Sequence, residues 1–121
     1  MNKGTFWLAA AGVTILQMLI GNVMTYYAPY PPLLGAHAFL AGILLLLALF
    51  GLRFAEKGRE RRIVIGNILL VVLISALGLG FLQLQSNVVI LLHFLLAIGL
   101  VSNFSVLYGI YIGEREAQGK A

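Results

Sequence analysis

The residues with the greatest capacity for chemistry are His37 and His93, the only histidines among 121 residues. Sliding the sequence by 56 places His37-Ala38-Phe39-Leu40-Ala41 over His93-Phe94-Leu95-Leu96-Ala97, a shared His-x-x-Leu-Ala. A neutral imidazole offers one nitrogen as a metal donor and carries an N–H on the other. The absence of cysteine removes disulfides, zinc–thiolate sites, iron–sulfur clusters and thiol nucleophiles together. Zinc normally takes three or four protein ligands, and no Asp, Glu or Cys lies near either histidine to complete such a set. Heme needs only two axial donors, because the porphyrin supplies the other four nitrogens. The inventory therefore favours an iron tetrapyrrole bound by His37 and His93. The other use of the same side chains is a hydrogen bond that ties neighbouring helices together.

The elements that must position them follow from hydropathy. The chain is 61% hydrophobic and 10% charged, with a mean hydropathy of +1.01, far from the ~25% charge of soluble domains. Apolar runs fall at about Thr5 to Thr25, Pro32 to Phe54, Ile63 to Gln83 and Val88 to Ile112, and about 20 residues span the hydrocarbon core as a helix. Open sheets leave backbone groups unpaired in lipid, and the runs are too long and too uniform for barrel strands. The expected fold is all-α: a single up-down-up-down bundle of four transmembrane helices over residues 1–121. Lys3 and the first run resemble a signal peptide but lack a small-x-small cleavage site, so the first run is expected to be a retained helix.

Three connections separate the runs. Tyr26-Tyr27-Ala28-Pro29-Tyr30-Pro31-Pro32 is a turn whose prolines can open the next helix. Glu56-Lys57-Gly58-Arg59-Glu60-Arg61-Arg62 reads as a hydrated charged loop, and Gln85-Ser86-Asn87 as a short polar turn with Ser86 or Asn87 as helix cap. All eight Lys and Arg (Lys3; Arg53, Lys57, Arg59, Arg61 and Arg62; Arg115 and Lys120) fall on one side of this arrangement. The positive-inside bias puts both termini and the central loop in the cytoplasm, and the tyrosines of the first turn in an interfacial belt. Topology accounts for the net charge of +4, so no nucleic-acid partner is expected. The second and fourth helices then both run inward, with each histidine five or six residues from its start, roughly 8–9 Å below the outer end. In a four-helix bundle these two helices share a diagonal, so the histidines can face each other across the core.

Two strips of small and weakly polar residues point the same way. Ala10, Thr14, Gln17 and Gly21 share one face of the first helix, and Val71, Ser75 and Gly78 form a narrow strip on the third. Both suit close helix packing, with Gln17 free to hydrogen-bond across the bundle.

Leu16-Gln17, Gly21 and Ala36-His37, within LQMLIGNVMTYYAPYPPLLGAHAFLAGILLLL, resemble a hairpin of the heme A synthase family over residues 13–50. Leu73 to His93, with Leu77-Gly78 between, is a fainter version of the same pattern. The resemblance implies one four-helix half of such a protein, with His37 and His93 as axial ligands of a heme b near the outer leaflet of a prokaryotic-type plasma membrane. The family's catalytic glutamate lies three residues before a histidine that is followed by arginine. Here those places hold Leu34 and Ala38 around His37, and Ile90 and Phe94 around His93. The paired extracellular cysteines of some relatives are missing too. The expectation is thus electron transfer or oxidase heme supply rather than methyl oxidation by this chain alone. The alternative is a cofactor-free small membrane subunit or assembly partner of a respiratory complex. Besides the lipid bilayer, a homodimer restoring eight helices or a respiratory-complex partner is expected, with Gly78-Leu79-Gly80 as one candidate contact.

Overall fold

The computed structural model describes residues 1–27 and 30–119. Ala28 and Pro29 of the proline-rich turn, and the basic Lys120, lie outside them. Four helices account for nearly all of the described chain: α1 (Lys3–Tyr26), α2 (Pro31–Gly51), α3 (Arg59–Leu84) and α4 (Asn87–Ala117). All four are long and apolar enough to cross a membrane.

Local chemistry fixes most of the ends. The Asn2 side chain accepts a hydrogen bond from the Thr5 N–H at 2.8 Å and opens α1. Pro31 and Pro32 occupy the first positions of α2, where the missing N–H costs nothing. Gln85, with φ of 46°, turns the chain out of α3. Ser86 takes the cap position of α4 but its side chain makes no capping bond.

Three boundaries differ from the hydropathy reading. α2 stops at Gly51 rather than Phe54, because Phe54 leaves the helix to stack on Phe6 with ring centroids 4.6 Å apart. α3 begins at Arg59 rather than Ile63, so the first turn of a helix absorbs Arg59 to Arg62 and the loop shrinks. Within that turn Glu60 is buried at 4% exposure, not hydrated. α4 continues past Ile112 to Ala117. Its 31 residues are longer than the ~20 a bilayer core demands, so its polar end extends beyond it.

α1 packs on α2 and α4, and α3 packs on α2 and α4. Among the described residues the diagonal pairs, α1 with α3 and α2 with α4, nowhere bring their backbones together. Lys3 at the start of α1 reaches Glu60 at the start of α3 and Glu114 near the end of α4, so the helices alternate in direction. One end of the bundle holds both termini and the α2–α3 loop; the other holds the α1–α2 and α3–α4 connections.

The protein core lies in only one half. Its buried residues are Gly4 to Thr14 of α1, Leu44 to Gly51 of α2, Glu60 to Val71 of α3 and Ala97 to Leu107 of α4, together with Ala55 of the loop. An aromatic group of Phe6, Trp7, Phe54 and Phe104 fills it. Asn103 of α4 donates to Asn67 of α3 at 2.8 Å inside this packed half. At the opposite end no described residue is buried: not after Thr14 in α1, before Leu44 in α2, after Val71 in α3, or before Ala97 in α4.

Candidate functional site

His37 and His93 both lie in the half without a protein core. Each is six residues after the first residue of its helix, Pro31 or Asn87, so the two occupy one depth, roughly 9 Å from the helix start. Their rings meet across the α2–α4 diagonal with centroids 6.1 Å apart and planes inclined by 38°. The backbones of the two helices nowhere come together among the described residues. Neither ring is turned out to the surface, and both are half-buried.

Glycine makes each placement possible. A Cβ built on Gly21 of α1 would stand 3.0 Å from His37 Cε1, and one on Gly78 of α3 would stand 3.2 Å from His93 Cε1. Any larger residue would push the imidazole away. In an α-helix the carbonyl of residue i−4 lies beside the side-chain position of residue i, so a glycine uncovers it. The His37 ring is accordingly directed at the main-chain carbonyl of Gln17, four residues before Gly21. The His93 ring is directed at that of Ile74, four residues before Gly78. Both Nδ1 atoms are buried without a well-formed hydrogen bond. The same construction thus occurs once in each hairpin, and it turns the Nδ1 side of each ring toward its own glycine-bearing helix.

Gln17 adds a contact with no counterpart. Its Nε2 donates to the main-chain carbonyl of His37 at 2.8 Å, while its Oε1 is buried without a donor. The strip Ala10, Thr14, Gln17 and Gly21 does face the bundle: Ala10 and Thr14 enter the core, and Gln17 and Gly21 meet α2 at His37. Val71, Ser75 and Gly78 do the same on α3, with Val71 in the core and Gly78 under His93.

The separation of the imidazoles limits what they do. A direct hydrogen bond between two imidazoles brings their centroids to about 5 Å, and no hydrogen bond joins His37 to His93 among the described residues. Two imidazoles on a tetrahedral ion also sit about 5 Å apart, whereas two bound on opposite sides of one metal, at about 2.0 Å each, sit about 6.3 Å apart. The observed 6.1 Å matches the last arrangement. Among the described residues no cluster of three or more His, Cys, Asp or Glu exists. The donor set is thus two imidazoles across the α2–α4 diagonal among half-buried side chains, which suits a heme in that a heme would need only two protein donors.

Sequence reasoning missed the cluster at the other end. Lys3 Nζ lies 2.8 Å from Glu60 Oε1 and 3.4 Å from Glu114 Oε2, and the Glu56 N–H donates to Glu60 Oε2 at 3.0 Å. Together they close the bundle around one buried carboxylate. Glutamate in a run of arginines carries no signal in the sequence that separates a buried group from a solvated one.

No family model, curated protein or solved structure matches this chain.

Proposed function

We propose that the chain is a multi-pass membrane protein that binds heme b through His37 and His93 and serves electron transfer or the supply of heme to an oxidase. The observation that carries this reading is the pair of imidazoles at 6.1 Å across a diagonal whose backbones stay apart. Two histidines serving only as helix ties would bond to one another or to a neighbouring helix with good geometry; here both Nδ1 atoms lack such a bond. The glycine cradles at Gly21 and Gly78 add to it, because each removes a side chain where the ring needs room.

The bound heme supplies a one-electron couple. The residues of this chain hold the rings. Gly21 and Gly78 admit them and leave the Nδ1 side of each ring toward the glycine-bearing helix. His37 and His93 would together hold the heme from the protein side, and a heme so held would supply electron transfer rather than oxygen chemistry. The glutamates support the same choice. Glu60 and Glu114 meet Lys3 at the end opposite the histidines, and Glu56 and Glu116 lie in the loop and in the last turn of α4 at that same end.

Orientation belongs to the same reading. All the described basic residues sit at the end with the termini and the α2–α3 loop. The positive-inside bias makes that end cytoplasmic and places the histidines toward the outer leaflet of a prokaryotic-type plasma membrane. The resemblance to half of a heme A synthase suggests a partner, either a second copy or a respiratory-complex subunit.

The test is optical. Protein purified with heme supplied should show low-spin bands that sharpen on reduction, and His37→Ala or His93→Ala should abolish them or give a high-spin form. Unchanged spectra in both variants contradict the axial assignment. Failure to bind heme at all favours the cofactor-free membrane subunit.

A further inference from the structure

The two hairpins present their histidines in the same way except at one point, and that point separates the two ligands. Counting back four residues from the cradle glycine gives Gln17 in the first hairpin and Ile74 in the second. The main-chain carbonyls of both residues face a ring, but only Gln17 has a side chain that bonds as well. Its Nε2 grips the carbonyl of His37 itself, at 2.8 Å. In lipid such a bond has no water competing for its groups. Counting by the histidine offset of 56 instead gives Leu73, which has no donor either. The register explains the difference: glycine and histidine are 16 residues apart in the first hairpin and 15 in the second.

A second observation separates this bond from ordinary helix packing. The Oε1 of Gln17 is buried with no donor, and an unpaired buried acceptor is a net cost to folding. A methionine or leucine at this position would pack without that cost.

We propose that Gln17 is a positioning residue that makes His37 the fixed member of the axial pair, leaving His93, whose main-chain carbonyl no such side chain grips, as the member that yields. The inference rests on the heme-binding reading above. It predicts that the iron is lost or attacked by breaking the His93 side first, and that the hold on heme is set by the first hairpin.

Heme-loaded protein in detergent, mixed with excess apomyoglobin, reports the rate of heme loss by absorbance. Gln17→Met, which keeps length and removes the donor, should speed loss at least fivefold and shift the low-spin electron paramagnetic resonance signal. Ile74→Met, at the matching position, should change the rate less than twofold and leave the signal in place. Gln17→Asn, with the amide one carbon short, should act in the same direction as Gln17→Met if that variant does not accumulate. Thermal unfolding of the heme-free Gln17→Met form should lie at or above that of the parent, whereas a merely structural role for Gln17 would lower it. Equal rates for Gln17→Met and Ile74→Met, or an unmoved signal in the Gln17 variants, overturn the inference while heme binding stands. A parent protein that takes up no heme overturns both.

Discussion

The two halves of the bundle are made of the same four helices and nearly the same kinds of residue, yet they solve different problems. At the end with the termini, Phe6, Trp7, Phe104 and Leu107 are fully buried and close the space between all four helices. At the other end the corresponding positions are half-buried or exposed, and two imidazoles face each other across the middle. In lipid, association comes from close packing and polar contacts rather than from escape from water, so the packed half can hold the bundle together by itself. The other half contributes no buried residue among those described. The lesson is a division of labour along the bundle: one half is packed by buried side chains, and the other sets two imidazoles opposite each other.

That division can be broken from either side. The largest effect is expected at the cradle. Gly21→Phe should abolish heme uptake, because even a Cβ there stands 3.0 Å from His37, whereas Gly12→Phe, on open space, should bind heme like the parent; absorbance of purified protein reads both. In the packed half, Trp7→Ala should destabilise the fold by about 2–3 kcal/mol, less than in a water-soluble core because lipid solvates the freed chain. Unfolding in mixed micelles of increasing denaturing detergent measures it, and Leu79→Ala, on an exposed site, should be near neutral in the same assay. Glu60→Leu leaves Lys3, 16% exposed, with Glu114 as its remaining partner, and should cost about 1–3 kcal/mol by the same measurement. The smallest effect is expected for Asn67→Val, which removes the bond from Asn103 and should cost roughly 0.6 kcal/mol, the typical worth of an interhelical hydrogen bond in lipid.

Hydropathy alone revealed the four helices because twenty-residue apolar runs have few other uses. It misjudged their ends wherever charge or aromaticity served packing instead of solvation. Phe54 looked like the last turn of α2 but stacks on Phe6 outside the helix, and Glu60 looked solvated but is buried against Lys3. The matched depth of the histidines was visible in the offset of 56, and the inward face of Gln17 and Gly21 in their helical spacing. What the residues could not reveal was the unequal packing of the two halves. Leucine serves equally well against a helix or against lipid, so composition does not tell a filled interior from an open one. The difference between Gln17 and Ile74 was hidden for a related reason: it appears only when each is counted from its own glycine, and the glycine offset is 57 while the histidine offset is 56.

The most direct measurement is the low-temperature electron paramagnetic resonance spectrum of the oxidised, heme-loaded protein compared with its His37→Ala and His93→Ala variants. The parent should give a single low-spin signal of two imidazoles on one iron, and each variant should lose it. A parent spectrum that is high-spin, or a low-spin signal that survives the loss of either histidine, contradicts the claim that these two side chains hold one iron between them.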